Sequence, residues 1–265
     1  MVWNFTRVWQ NPGNVPPYGA GVVSITNTSA PAAAGSTLVL LATVRPAAAE
    51  DPVTLAPSDN LGGTWHQAKD AQGNPIYVGA GSSTRYAVYA RLNAGGVSTV
   101  TLTGGASAVA DIIYHLAEFS GGPTGGEPVW VATGTTRPSG DTWDVLQVDA
   151  PAGALVVGGM SVGVTNRAFA APGGGFALLG DYKTGGRHNI AAYRVTDTAG
   201  MTGPVWTKLS GSATSLNTVT AAIVGSTGGG SDPGPDPEPV PSGPVWARIY
   251  DGTVWKPLAH PTITT

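Results

Sequence analysis

The sequence predicts an all-β protein, and three observations support this prediction. Short runs rich in Val, Ile, Thr and aromatic residues recur along the 265 residues, as is typical of strands. Glycine (39 residues) and proline (22) separate these runs at frequent turns. Helical periodicity is confined to one turn at residues 46–50. We therefore predict a jelly-roll-like antiparallel β-sandwich built from two similar halves, plus a short C-terminal β-hairpin.

Period-two alternation and β-rich composition mark thirteen strands in the body of the chain. The predicted strands span residues 21–26, 37–45, 63–67, 85–92, 99–103, 111–119, 128–132, 144–149, 154–164, 176–182, 189–195, 205–209 and 218–224. Their number and short length favour a sandwich over a single open sheet.

An internal repeat supports the two-halves prediction. Residues 34–41 resemble residues 152–159, and both segments begin with Ala-Gly. Residues 86–91 resemble residues 190–194, and both end in arginine. A Thr-rich strand and a long apolar closing strand follow in each half. Two successive Greek-key units facing each other across one core would give a jelly roll, which limits exposed sheet edges.

The chain divides into three parts. Residues 1–228 form the predicted sandwich, residues 229–243 are a Gly/Pro-rich linker, and residues 244–265 are too few to bury a core. A proline-rich linker prefers an extended conformation of about 3.1 Å per residue, which gives it a reach of roughly 30–40 Å. The C-terminal part therefore reads as a tethered attachment segment.

This C-terminal segment has the pattern of a β-hairpin with an Asp-Gly turn. Alternation places three side chains on one face of its first strand, where an arginine lies between aromatic rings. Because an isolated two-stranded hairpin is marginally stable in water, we expect it to dock on its own body or on a neighbouring subunit. The residues predicted to mediate attachment are Trp246, Arg248, Tyr250, Asp251, Gly252 and Trp255.

Composition excludes several functions. The net charge is −3 and the 13 basic residues are scattered, so we expect no nucleic-acid partner. No apolar run reaches 18 residues, so we expect no insertion into a membrane. The absence of cysteine excludes thiolate metal sites and disulfides. The N-terminus lacks the basic start and apolar core of a signal peptide. The absence of cysteine suits a protein that folds in reducing cytoplasm.

Motifs that would indicate catalysis are weak. Residues 159–163 match Gly-x-Ser-x-Gly, but a loop follows where a nucleophile elbow needs a helix, and close strand packing explains the glycines. The four histidines lack metal-binding spacing. We expect His115 to be a surface histidine or one whose hydrogen bonds are satisfied. We predict no enzyme activity, no cofactor and no metal site.

Acidic residues give no stronger signal. Carboxylate pairs of the kind that hydrolyse glycosides could come only from Asp141 with Asp144 or from Glu118 with Asp111. Residues 59–60 and 70–74 resemble loose calcium loops, although side-chain turns explain them equally well.

Aromatic side chains in loop-rich segments are better candidates for binding, since exposed Trp and Tyr rings form platforms for sugars. The alternative is that they pack in the core, as Trp often does in a sandwich. The candidate glycan-contacting residues are Trp65, Tyr77, Trp130 and Trp143.

Residues 244–257 (Pro-Val-Trp-Ala-Arg-Ile-Tyr-Asp-Gly-Thr-Val-Trp-Lys-Pro) resemble the short endings of minor tail proteins and other virion proteins from phages of actinobacteria. There too, the ending follows a Gly/Pro-rich linker. The body is similar to β-sandwich virion domains through residues 59–65 (Asp-Asn-Leu-Gly-Gly-Thr-Trp) and 116–121 (Leu-Ala-Glu-Phe-Ser-Gly). Such endings often occur in tandem, whereas this chain has one.

The resemblance implies a non-enzymatic virion protein, assembled in the host cytoplasm and located in the tail tip or a fibre. Its expected partners are other virion proteins, further copies of itself and host-surface glycan. Two alternatives stay open: a decoration protein on the outer capsid surface, and a carbohydrate-binding module.

Overall fold

The computed structural model describes most of the body of the chain and two short C-terminal strands. The described residues are 2–9, 22–26, 30–46, 55–76, 85–104, 109–136, 142–143, 147–162, 169–184, 187–209, 216–227, 248–250 and 255–257. These residues contain strands and turns but no helix. Residues 1–230 form one compact unit and residues 231–265 form another.

Among the described residues, eight strands form the first half of the larger unit. They are β1 (Asn4–Trp9), β2 (Val22–Thr26), β3 (Thr37–Pro46), β4 (Leu55–Asp59), β5 (His66–Gln67), β6 (Arg85–Arg91), β7 (Thr99–Gly104) and β8 (Val109–Ser120). One sheet has the order β1-β8-β3-β6-β5 and the other the order β2-β7-β4, with antiparallel pairs throughout. This is the strand order of a jelly roll, in which one sheet contains the first, eighth, third and sixth strands and the facing sheet contains the second, seventh and fourth.

The second half repeats this plan. Its strands are β9 (Glu127–Thr136), β10 (Thr142–Trp143), β11 (Val148–Ala150), β12 (Leu155–Val162), β13 (Ala177–Thr184), β14 (Arg187–Val195), β15 (Gly200–Thr202), β16 (Trp206–Thr207) and β17 (Leu216–Thr227). The main sheet, β9-β17-β12-β14-β13, matches the first strand for strand. Two short pairs, β11 with β15 and β10 with β16, cover its outer face.

Local geometry supports the equivalence of the halves. Gly35 and Gly153 both adopt a left-handed backbone (φ 73° and 78°), Gly35 in the turn before β3 and Gly153 in the turn before β12. The amide of Ser36 donates to Ala33 O at 3.1 Å in the first turn, and Ala154 donates to Pro151 O at 3.3 Å in the second. The predicted repeat is therefore visible as two turns and two sheets of the same construction.

The buried side chains of the described residues form three cores in the larger unit. The first-half core lies between its two sheets and includes Leu40 and Leu102. The second-half core lies behind the other main sheet and includes Met160 and Trp206. The central core joins the two main sheets face to face. All-β sandwich architecture is thus confirmed, and each half has its own two-layer core in addition to the shared one.

Glycines allow the two main sheets to approach closely. A β-carbon on Gly159 would lie 1.8 Å from the hydroxyl oxygen of Tyr86 on the opposite sheet. Tyr86 is 1% exposed and its ring fills the central core. Since a side chain at this position has no room, glycine is required by packing.

The smaller unit contains β18 (Arg248–Tyr250) and β19 (Trp255–Pro257). They pair antiparallel, with Tyr250 opposite Trp255 and Arg248 opposite Pro257. Residues 251–254 connect the two strands and lie outside the described residues, as does Trp246. The predicted hairpin pairing is therefore present. The Asp251-Gly252 turn and the linker 229–243 stay predictions.

Candidate functional site

The Gly-x-Ser-x-Gly match does not form a nucleophile elbow. Its first four residues lie in the middle and end of β12, a strand whose eight residues are all buried. Ser161 is 3% exposed and pairs with Asn189 and Asn217 on the neighbouring strands. Gly158 faces Pro204 as Gly159 faces Tyr86. These glycines serve close packing, as the sequence indicated.

The loop Asp59–Trp65 is held by a network of hydrogen bonds to a buried carboxylate. Asp59 accepts hydrogen bonds from the Trp65 indole at 3.1 Å and from Arg91 Nε at 3.2 Å. The amides of Leu61 and Gly63 donate to its other oxygen at 2.9 and 3.2 Å. Because the Arg91 guanidinium fills the space beside Gly63, a β-carbon there would lie about 2 Å from it. This explains the Asp-Asn-Leu-Gly-Gly-Thr-Trp motif without a ligand.

The closing motif of the first half, residues 116–121, contains a second buried carboxylate held by a network of hydrogen bonds. Glu118 is fully buried and accepts from Ala33 N and Ser36 Oγ (2.8 Å each), and from Arg7 Nε at 2.7 Å and Trp9 Nε1 at 3.2 Å. Desolvation acts to raise the pKa of the Glu118 carboxyl, but these hydrogen bonds outweigh it and the pKa lies below its ordinary value. Glu118 is therefore a structural carboxylate.

The other acidic candidates are also explained by structure where they are described. Asp70 accepts from the amides of Gln72 and Asn74 at 2.9 and 2.8 Å, and the hydrogen bond from the Asn74 amide lowers the pKa of Asp70 most. Side chains of Asp111, Asp141 and Asp144 lie outside the described set. No cluster of three or more metal-ligating side chains occurs among the described residues.

The three described histidines lie in different strands: His66 in β5, His115 in β8 and His188 in β14. His115 is 2% exposed in the central interface, and neither ring nitrogen has a hydrogen-bond partner in the described part of the chain. Desolvation lowers the pKa of His115 to about 4, and the negative charge of Asp181 opposes this only in part. The expectation of a surface or satisfied histidine was wrong for His115. His188 is buried in β14 and bonds Asp181.

The four predicted glycan-contacting aromatics do not come together in a described site. Trp65 is half-buried, with its indole N–H committed to Asp59. Trp130 is 7% exposed and packs in the central core, so its ring offers no face to a ligand. Trp143 pairs with Trp206 across β10 and β16, but its side chain lies outside the described residues, as does all of Tyr77.

An aromatic cleft that the sequence did not indicate lies where the two halves meet. We call it the Phe5–Tyr193 cleft, and it has a volume of about 430 Å³. The residues that line it lie at or just before the start of β1, at or just before the start of β13, and at or just after the end of β14: Trp3, Asn4, Phe5, Gly175, Ala177, Tyr193, Arg194, Val195 and Asp197. Phe5 stacks on Tyr193 with ring centroids 4.9 Å apart and planes 21° apart.

A β-bulge in β1 creates this wall of the cleft. The pairing of β1 with β8 shifts register between Phe5 and Arg7. As a result, Arg7 bonds Glu118 while Trp3 packs in the central core and Phe5 stacks on Tyr193 from the other half. Without the bulge, the alternation of a regular strand would place the side chains of Trp3, Phe5 and Arg7 on the same face. A strand pattern read from sequence cannot show this change.

These features define the class of protein: an all-β chain with two jelly-roll halves around a shared core and a separate C-terminal strand pair. In the described residues, no helix is long and apolar enough to span a membrane. No protein-family model matches the sequence, and no curated protein matches it significantly.

Proposed function

We propose that this protein is a non-enzymatic structural component of a phage virion, a minor tail protein of the tail tip or a fibre. The observation that carries the proposal is the division of the chain into a self-contained body and a separate small unit with a strand pair. A three-residue strand pair is marginal by itself in water, so it gains stability by docking on a partner. A tethered segment of this kind suits attachment to a particle.

The architecture of the body is consistent with this role. Jelly rolls are a common solution for viral structural proteins and lectins because closing the sheets protects their edges. The buried charges support a structural role, since Glu118 and Asp59 each form an ion pair with an arginine inside the body. Fold alone does not define function, so the C-terminal resemblance to virion proteins supplies the second line of support.

The experiment compares particles grown with the full chain and with a variant lacking residues 231–265. We expect the variant to fold, because the body is a compact unit of its own, but to be missing from purified particles. Mass spectrometry of the particles measures incorporation. Trp255→Ala should reduce incorporation, and Thr264→Ala, beyond the paired strands, serves as its control.

Copy number in the same particles separates the tail from the capsid. A handful of copies per particle supports a tail-tip or fibre protein, whereas copies in the hundreds would indicate a capsid decoration protein. Normal incorporation of the truncated chain would contradict attachment through the C-terminal unit. Absence of the full chain from particles would refute the proposal as a whole.

A further inference from the structure

The Phe5–Tyr193 cleft differs from the rest of the body in how its polar groups are used. Elsewhere, Arg7 and Arg91 are each committed to a buried carboxylate. At the cleft, Arg194 donates from Nη1 to Gly174 O at 2.8 Å, and its other N–H groups have no acceptor in the described part of the chain. The exposed Asp197 likewise has no partner among the described residues. Unused donors and acceptors thus line an aromatic surface.

The aromatic surface is rigid and partly open. Phe5 is 39% exposed, and its ring is supported by Tyr193 on one side and by the edge of Phe119 at 5.8 Å. Phe119 also packs edge-on against Tyr193, with centroids 5.4 Å apart. A ring held by two neighbours is a flat platform that a ligand meets without an entropic cost for ordering it. The exposed part of the Phe5 ring does not contribute to packing in the core, so it is available to a ligand.

Trp3 contributes the third ring of the cleft lining and is 3% exposed. Its indole nitrogen is enclosed by protein and has no acceptor in the described residues, so a ligand in the cleft does not reach this N–H.

Charge and size define the ligand class. Arg194 and Asp197 both line the cleft and carry opposite charges, so the cleft does not select an anion or a cation by net charge. Planar guanidinium, amide and carboxylate groups instead suit neighbouring hydroxyls, which both donate and accept. A volume of about 430 Å³ lies in the usual range for small-molecule sites. A neutral hexopyranose has hydroxyls at its edge and an apolar C–H face for the ring of Phe5.

We propose that the Phe5–Tyr193 cleft binds a neutral hexopyranose unit of a surface glycan, with the sugar face on Phe5 and its hydroxyls on Arg194 and Asp197. The proposal rests on the proposed function in one respect, that the body is displayed where it meets a glycan-bearing surface. It replaces the sequence-based candidates Trp65, Tyr77, Trp130 and Trp143 as the best-supported contact site.

The test uses the purified full chain and a panel of methyl hexopyranosides and their neutral disaccharides, with galacturonate as the acidic comparison. Saturation-transfer NMR identifies binders at about 10 mM, and calorimetry then measures Kd. We expect at least one neutral sugar to bind and Phe5→Ala and Arg194→Gln each to weaken it about tenfold or more. Leu209→Ala, an exposed apolar residue outside the cleft lining, and Trp65→Phe should leave Kd within about twofold.

Three results would overturn the proposal: no neutral sugar binds, galacturonate alone binds, or binding survives both cleft substitutions. Circular dichroism checks the fold of each variant. If Phe5→Ala unfolds the protein, the affinities of Arg194→Gln and Asp197→Asn test the proposal instead, because both residues line the cleft. Particle incorporation does not enter this assay, so failure here leaves the virion proposal standing, and failure of incorporation leaves sugar binding measurable.

Discussion

Replacement of Glu118 by glutamine tests the claim that this buried carboxylate stabilises the first half through its hydrogen bonds. The carboxylate accepts four hydrogen bonds, two at each oxygen. However the glutamine amide is oriented, its NH₂ group faces at least one N–H donor, either the Ala33 amide or those of Arg7 and Trp9. Arg7 is 28% exposed and regains some water, but the indole N–H of Trp9, a residue 1% exposed, does not.

The expected loss is large. Breaking a buried ion pair by changing one partner typically destabilises a protein by about 3–5 kcal/mol. At about 2–4 °C per kcal/mol for a domain of this size, Tm should fall by roughly 6–20 °C. Denaturant titration at pH 7, followed by tryptophan fluorescence, gives the change in the free energy of unfolding. Scanning calorimetry gives Tm.

Glu127→Gln is the matched control. Glu127 also pairs with a cation, Lys69, but its side chain is 43% exposed, and exposed pairs contribute about 0–1 kcal/mol. A loss below about 1 kcal/mol for Glu118→Gln, or equal losses for the two variants, would refute the reasoning. The pKa of Glu118 is lowered in the folded protein, so its contribution is complete above the ordinary value of 4.5 and disappears as pH falls through the folded-state pKa.

Two further stability predictions concern the central interface. Gly159→Ala should cost about 1–3 kcal/mol because its β-carbon meets Tyr86, whereas Gly225→Ala, with no atom within 4 Å of a β-carbon, should cost less; equal denaturation midpoints would contradict the packing argument. His115 has a pKa of about 4 in the folded protein, below its ordinary 6.5, so the unfolded state binds the extra proton first. Stability should therefore fall from pH 6.5 towards pH 4, by about 3 kcal/mol in total. Denaturation in His115→Gln should show a shallower pH slope over this window, and an unchanged slope would contradict this role of His115.

Much of the fold was predictable because strand patterns are local. Alternation marked the long central strands β3, β8, β12 and β17, and the repeat of Ala-Gly turns predicted two similar halves. The edge strands β1 and β4 were missed, as were the short strands β10 and β15. In β4 the sequence Leu-Ala-Pro-Ser-Asp has weak strand propensity, and Pro57 is tolerated because β4 lies at the edge of its sheet.

The candidate site was less predictable than the fold. Sequence composition directed attention to tryptophan, but burial decides which rings are available, and burial depends on sheets that pack from distant parts of the chain. Trp130 is in the core, and Trp65 is bonded to Asp59. Phe5 and Tyr193 are 188 positions apart in the sequence, and Phe5 lies in β1, a strand that the sequence pattern did not predict.

The sequence by itself determined the strand content, the repeat and the division into a body and a C-terminal hairpin, because these depend on local propensity and turn residues. Tertiary structure decided how the halves combine: two jelly rolls joined through a third core rather than one sandwich. It also decided the cleft. A one-residue bulge in β1 turns Phe5 towards Tyr193, and such a bulge arises from pairing with β8, a contact between residues more than a hundred positions apart.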